Sequence, residues 1–354
     1  MKKIFKKLFK GQELMNEAPA FTKGMSIFNS NGEVDVASLG FDYAIRTTTL
    51  LRQKSVKQKF YEVAIADFFT VEIGQGAWME TITQNLQFDS AGDFEQGIVN
   101  VNSGHSEVEE VESGVTPKTF HIFSWTKGYK YNIMEVEKAL EADNWDKVAG
   151  QTAALKKNWD LGVQRIGFLG SKFNSNILGL LTQTEVTLDT LILDKNISDL
   201  AADEFIAFAK ALLSAYFENS NYTQRQPNKL VMPMDDYLGL GIPLSSAFPL
   251  GDNRLDYLLK TFRQLTNNPK FEIIPLVYCQ KAVNVGAVCT AGSQRYCLYN
   301  DDVEVVKMDI PVDFTLTNPN TADNFSWQGK AYGQATGVQV TRPAEMYYFE
   351  HHNS

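Results

Sequence analysis

Four histidines, three cysteines and a surplus of carboxylates are the residues of this chain with the means to do chemistry. Their spacing gives them little to do it with. His105 and His121 have no Cys, His or carboxylate at the spacing that closes a metal site, and His351 and His352 fall at the chain end. Cys279, Cys289 and Cys297 are odd in number and spaced unlike a redox pair or a zinc site. They read as buried free thiols. Glu107, Glu109, Glu110 and Glu112 offer oxygen ligands to calcium, but the Asp-rich, Gly-centred loop of an EF-hand is missing. A solvated or subunit-facing acidic run is the expected reading. Gly74-Gln75-Gly76 is a fragment of a phosphate loop without its third glycine. The residues after it, Trp78-Met79-Glu80, read as strand, where nucleotide binding requires a helix N-terminus. There is no Walker sequence and no Gly-x-Ser-x-Gly elbow. A carboxylate pair converging in space is left open. The expectation is a protein that is not an enzyme and holds neither cofactor nor metal.

The position of the carboxylates says more than their number. From Phe60 to Pro117 the chain carries eleven: Glu62, Asp67, Glu72, Glu80, Asp89, Asp93, Glu95, Glu107, Glu109, Glu110 and Glu112. The same stretch has no lysine or arginine. Residues 1–59 are the reverse, with eleven basic against five acidic residues. Opposite charges steer association and like charges oppose it. A chain polarised this way suits head-to-tail contact with a copy of itself, which makes rings, shells or filaments. A solvated acidic loop with no partner is the competing reading.

The elements that must position these groups follow from periodicity. At 354 residues the chain can bury a large core, and more than one domain is expected. Its net charge of −9 argues against a general nucleic-acid binder while leaving room for a local basic contact. No apolar run approaches the length of a membrane span. Near the N-terminus Ile4, Phe5, Leu8 and Phe9 share one arc of a helix, and Lys2, Lys3, Lys6, Lys7 and Lys10 fill the other. There is no apolar h-region, so this is not a signal peptide. So short a helix needs a surface: a membrane, an acidic protein face or packaged polyphosphate; otherwise it is a frayed arm.

Residues 12–40 read as an extended arm and 42–59 as a short helix. Alternation between Ala77 and Phe123 predicts a long β-hairpin with little core of its own, which must lie on something in this subunit or the next. Ile133, Val136 and Leu140 predict a short helix. Asn144 then caps a long one, over 145–169, with Val148, Thr152, Leu155, Trp159, Val163 and Ile166 on its inner face and Gly170 as its stop. Asp203 is expected to cap a helix carrying Phe205, Ile206, Phe208, Ala209, Leu212, Leu213 and Tyr216. Strands at 229–232, 271–278 and 295–299 and a helix at 255–265 complete an α/β lobe over 201–300. From Val303 to Phe349 strands dominate.

That order of parts resembles the major capsid proteins of tailed phages with the Hong Kong 97-like fold. The residues that carry the likeness are local. Gln87-Phe88-Asp89-Ser90-Ala91-Gly92 is similar to the strand-turn within the E-loop. Glu135-Val136-Glu137-Lys138-Ala139 followed by Arg165-Ile166-Gly167-Phe168-Leu169-Gly170 resembles the helix pair before the A-domain, and Leu178-Gly179-Leu180-Leu181 the turn after it. Leu230-Val231-Met232-Pro233 and Leu255-Asp256-Tyr257-Leu258-Leu259 resemble the first strand and a helix of the A-domain. The resemblance implies an α+β fold divided into an N-terminal arm (1–59), an E-loop-like extended hairpin and its approach (60–123), a P-domain with the spine helix (124–200), an A-domain-like lobe (201–300) and C-terminal strands returning to the P-domain (301–354).

The resemblance also implies a function. It is self-assembly, as hexamers and pentamers, into an icosahedral shell enclosing double-stranded DNA, in a virion built in the host cytoplasm. Asp89, Asp93, Glu95, Glu107, Glu109, Glu110 and Glu112 would then form an acidic subunit interface, and Lys2, Lys3, Lys6, Lys7 and Lys10 would face the interior. Phe60, Phe68, Phe69, Trp78 and Phe88 would be apolar anchors, unless they belong to the subunit's own core. Portal, scaffold and decoration proteins are further partners; a membrane is not. The rivals are an encapsulin-like compartment holding a cargo enzyme, an α/β enzyme built on 201–300, and another virion part such as a tail-tube or decoration protein. With the arm in place at Met1, its removal by proteolysis is not expected.

One departure from the family pattern makes a prediction. Some members weld their subunits by an isopeptide bond from an E-loop lysine, and no lysine lies between Lys59 and Lys118. Particles boiled in denaturant should run on a gel as single 39.7 kDa chains. A ladder of covalent oligomers would refute this.

Overall fold

The computed structural model describes residues 60–90, 112–137, 147–219, 226–244, 253–284, 294–323 and 325–351. The expected helices over 2–10 and 42–59, the Asn144 cap and Cys289 lie outside them. The chain forms two units. One holds the described residues of Thr126–Asn158 and Leu316–Ala331; the other holds those of Glu62–Trp125, Trp159–Thr315 and Tyr332–Ser354.

The longest helix, α1 (Lys147–Leu169), is 23 residues, a rod of about 34 Å. Of the inner stripe the spacing predicts, Leu155, Trp159 and Val163 are buried and Val148, Thr152 and Ile166 are half-buried. Gly170 ends it in the left-handed conformation, with φ +72°. Its N–H still donates to Ile166 O at 2.8 Å, and the chain then doubles back. Leu180 N–H donates to Gly167 O at 2.8 Å and Leu181 N–H to Phe168 O at 3.0 Å. So close a return leaves no room for a side chain. A Cβ on Gly179 would lie 2.5 Å from Gly170 N and from Phe168 O.

A five-stranded sheet forms the centre of the second unit. Its strands are β4 (Thr187–Asp189), β5 (Lys229–Met232), β6 (Glu272–Pro275), β7 (Gln294–Tyr299) and β13 (Met346–His351), in the order β4-β13-β7-β5-β6. Period-two alternation divides its side chains between two cores. Leu230, Met232, Tyr296, Leu298, Tyr347 and Phe349 pack with Phe205, Phe208 and Leu212 of α2 (Ala202–Asn219). Val231, Cys297, Tyr299, Met346 and Tyr348 face the other way and pack with Trp159, Val163 and Phe168. The sheet is therefore buried on both faces. The last strand belongs to it: β13 pairs antiparallel with β7 from Met346↔Tyr299 to His351↔Gln294. Cys279 and Cys297 are buried free thiols, as expected.

A three-stranded sheet, β1 (Thr70–Ile73), β8 (Val306–Ile310) and β12 (Val338–Val340), adjoins the second of these cores, with β1 and β8 parallel. The remaining sheet runs β10-β11-β3-β2, with β9 (Val312–Leu316) added on β11. Here β2 is Thr81–Ser90, β3 Glu112–Asn132, β10 Asn320–Asp323 and β11 Ser326–Thr336. The predicted hairpin is β2 and β3, antiparallel from Thr81↔His121 to Ser90↔Glu112.

Two expectations are corrected. Asp203 does not cap α2, because the helix already begins at Ala202; instead Glu204 reaches back so that its Oε2 accepts from Ala201 N–H at 2.8 Å. Residues 75–78 form a turn, and the strand expected at Trp78 begins only at Thr81.

Two glycines of α1 and its end should respond oppositely to alanine. At Gly170 a Cβ meets Ile177 O at 2.6 Å on a left-handed backbone, so Gly170→Ala should destabilise by about 2–4 kcal/mol. At Gly162, within the helix, nothing lies within 4 Å, so Gly162→Ala should stabilise by about 0.5–1 kcal/mol. Urea unfolding of the unassembled chain measures both.

Candidate subunit-interaction surface

The acidic residues expected to form an interface divide into two groups. Asp89 and Glu112 stand on neighbouring rungs at the far end of the hairpin, opposite Ser113 and Ser90. Asp93, Glu95, Glu107, Glu109 and Glu110 lie outside the described residues, as do Lys2, Lys3, Lys6, Lys7 and Lys10. Along the hairpin, no described side chain of β2 or β3 is buried; those of β2 alternate between exposed and half-buried. The acidic excursion ends at Lys118, where the hairpin is tied down. Lys118 pairs with Glu185, and its Nζ donates to Val340 O at 2.9 Å.

The aromatic residues separate in a way that composition did not distinguish. Phe68 and Phe69 are fully buried in the subunit's own core and meet Phe168 edge-on, with centroids 4.9 and 6.1 Å away. Their backbone is held as well. Tyr299 Oη donates to Phe68 O at 2.6 Å, and Lys229 Nζ donates to Asp67 O at 2.6 Å. Upstream, Val63 N–H donates to the buried Gln164 Oε1 at 3.1 Å. These two phenylalanines are structural and are not interface anchors. Phe60 is exposed; the side chain of Phe88 is not among those described.

Trp78 is the residue whose role changes most. The residue is 69% exposed, and Ile73 and Met79, near it in sequence, are 64% and 60% exposed. Its backbone has φ +67°, after Gly74 at +94° and Gly76 at +78°. Glycine adopts such angles freely; a bulky L-residue does so at a cost of about 1–2 kcal/mol. Gln334, nearly buried, holds it there. Its Oε1 accepts from Trp78 N–H at 2.8 Å while its Nε2 donates to Ser124 Oγ at 3.0 Å. The Tyr332 ring lies 5.6 Å from the indole. Gly-x-Gly-x-Trp was visible in the sequence, but nothing in its pattern showed the third left-handed residue.

Nothing in the described residues gathers into a reaction centre. No group of three or more His, Cys, Asp or Glu among them could hold a metal ion. A groove beside Phe173, Ile177 and Leu188 has Lys172 and Arg295 as its charged lining, and Arg295 is committed to Glu350.

A comparison with protein families matches the major capsid protein family over residues 99–351, which is 253 of the 354 residues. The chain belongs to that family. The capsid of Myoviridae phage XM1 shares its fold with a TM-score of 0.71 at 14% identity, over 87% of this chain and 98% of that one. The mature capsid of bacteriophage PhiM1 gives 0.54 at 11% identity over 96% and 99%, and Mycobacterium phage Ogopogo gives 0.53 at 14% over 87% and 99%. No curated protein matches. The Hong Kong 97-like phage capsid fold implied by the resemblance is therefore the fold of this major capsid protein. Its role is structural, as one of many copies in a virion shell.

The capsid protein also buries charge that the sequence did not mark. Asp309 faces Glu72 across the β1–β8 ladder, and Lys307 Nζ lies 3.1 Å from Glu72 Oε2. Gln339 Nε2 donates to Asp309 Oδ2 at 2.6 Å. Burial pushes the Asp309 carboxyl above its ordinary range; Gln339 and Lys307 pull it back and Glu72 pushes it further up. A carboxyl raised in the folded state binds more protons folded than unfolded. Its contribution is present at low pH and is lost as pH rises from the ordinary aspartate value of about 3.9 through the raised one. Asp309→Asn keeps an oxygen for Gln339 and has no charge to bury. It should be at least as stable as the natural chain at pH 7, with the difference shrinking toward pH 4 in urea titrations. A difference independent of pH would contradict this.

Proposed function

We propose that this chain closes, as hexamers and pentamers, into an icosahedral shell around double-stranded DNA, assembled in the host cytoplasm. One observation carries the reading: a member of the major capsid protein family presents a long hairpin in which no described side chain is buried. Its own sheet leaves those side chains at most half-buried, and in this reading an adjacent copy supplies the rest of their burial. The division into arm (1–59), E-loop and approach (60–123), P-domain (124–200), A-domain (201–300) and C-terminal strands (301–354) belongs to the same proposal.

In this reading Asp89, Asp93, Glu95, Glu107, Glu109, Glu110 and Glu112 meet a basic surface of the neighbour. Lys2, Lys3, Lys6, Lys7 and Lys10 face inward, where phosphate or an acidic subunit face receives them. Exposed ion pairs contribute only ~0–1 kcal/mol each, so charge sets the register while apolar contact holds the shell. Contact with DNA is non-specific, and portal, scaffold and decoration proteins are the partners such a shell takes. No catalysis is involved.

Negative-stain microscopy of the purified chain, with a nuclease-protection assay on particles from producing cells, tests the reading. Closed shells of uniform size and nuclease-resistant DNA are expected. Small soluble oligomers would refute assembly, and shells that enclose protein cargo without DNA would refute the genome.

A further inference from the structure

We propose that Trp78, flanked by Ile73 and Met79, is a preformed knob that docks onto a second copy of this chain. The inference rests on the shell reading above and names a contact that the acidic face does not include. The first ground is exposure. Phe68 and Phe69 pack inward, whereas three large apolar side chains within seven residues, Ile73, Trp78 and Met79, are each 60% exposed or more. The second ground is backbone. A turn that runs through Gly74 and Gly76 in left-handed conformation holds Trp78 in the same region, where glycine would sit without strain. The nearly buried Gln334 secures that conformation at the Trp78 N–H, yet the ring it presents remains largely in solvent. Within one subunit little returns the cost of placing a tryptophan there; burial against another surface would.

The third ground is position. The knob immediately precedes β2, which closes its sheet on one side among the described strands and carries neither lysine nor proline in ten residues. Natural edge strands use such residues to prevent pairing with another chain, and this one does not. Charge selects the occupant. All 33 lysines and arginines of the chain lie outside residues 60–117, and Glu80 flanks the knob in sequence, Glu72 being already paired with Lys307. A polyphosphate, an anionic bilayer or an acidic partner is repelled by this surface. A second copy brings both cations and membership of a family that assembles from its own copies.

Trp78→Gly separates the knob from the fold, because glycine accepts the backbone angle. In the full chain the urea midpoint of the unassembled subunit should be unchanged or higher, while the concentration needed to form shells should rise roughly tenfold or more. Assembly at the natural concentration would overturn the proposal. So would a lowered subunit midpoint, which would assign the ring to its own fold. A photoreactive benzoylphenylalanine in place of Trp78 gives a second readout. Light should yield covalent dimers in particles and not in unassembled chain; products only within one chain, or only with a different protein, would overturn the proposal. A natural chain that forms no shells sinks the shell reading and this one together, whereas natural and Trp78→Gly chains that both form shells sink the knob alone.

Discussion

A hairpin paired along ten rungs, with no described side chain buried, sets the terms for the rest of this capsid protein. Ordering each residue of a chain costs about 1–2 kcal/mol in backbone entropy, and a hydrogen bond exchanged with water returns only about 0.5–1.5 kcal/mol. Burial normally makes up the difference, and here the subunit supplies it only in part, at half-buried positions such as Phe123 and Trp125. The contrast with the β4-β13-β7-β5-β6 sheet is direct, because that sheet alternates its side chains between two cores. One part of the chain is finished within the subunit; in the proposed reading the other is finished by assembly.

Such a division requires a firm root. Phe68 and Phe69 wedge the approach to the hairpin against Phe168, and Gln164 and Tyr299 hold its backbone. Lys118 secures the returning strand at the first cation after the acidic excursion. Between these two points the chain carries carboxylates and no cation, so it gains nothing by folding back on itself electrostatically. Deeper in the body, buried charge is paired. Arg295 Nε donates to Glu350 Oε1 at 2.6 Å and its Nη1 donates to Leu181 O at 2.7 Å. Removing either partner of such a pair leaves an uncompensated charge, which fixes the strand register of β7 and β13 more firmly than apolar packing alone.

Local pattern made much of this legible. The stripe through Leu155, Trp159 and Val163 and the stop at Gly170 could be read because helix period and left-handed glycine are local properties. So could the hairpin, from alternation in short pieces. The Asp203 cap failed because Glu204, one residue on, satisfies the Ala201 N–H instead. Phe68 and Phe69 were indistinguishable from Trp78 by type, because burial depends on Phe168, a hundred residues away. The Asp309 cluster was invisible for the same reason: Glu72 and Gln339 reach it from opposite ends of the chain. The acidic residues between the two strands, and the lysine arc of the arm, were legible as charge only, because charge steers association without specifying a conformation.

The Gly74-Gln75-Gly76 turn shows how chemistry sought in the sequence can resolve into mechanics. Two glycines that suggested a phosphate loop instead let the chain reverse ahead of β2 and carry a tryptophan into a conformation it does not prefer. Association costs about 0.5–1.5 kcal/mol for each rotamer-rich side chain it immobilises. A ring already positioned by the Gln334 hydrogen bond and the Tyr332 contact has met part of that cost before any copy arrives. In the proposed contact, strain accepted in the free subunit becomes preorganisation, placed at the base of the element that the subunit covers least.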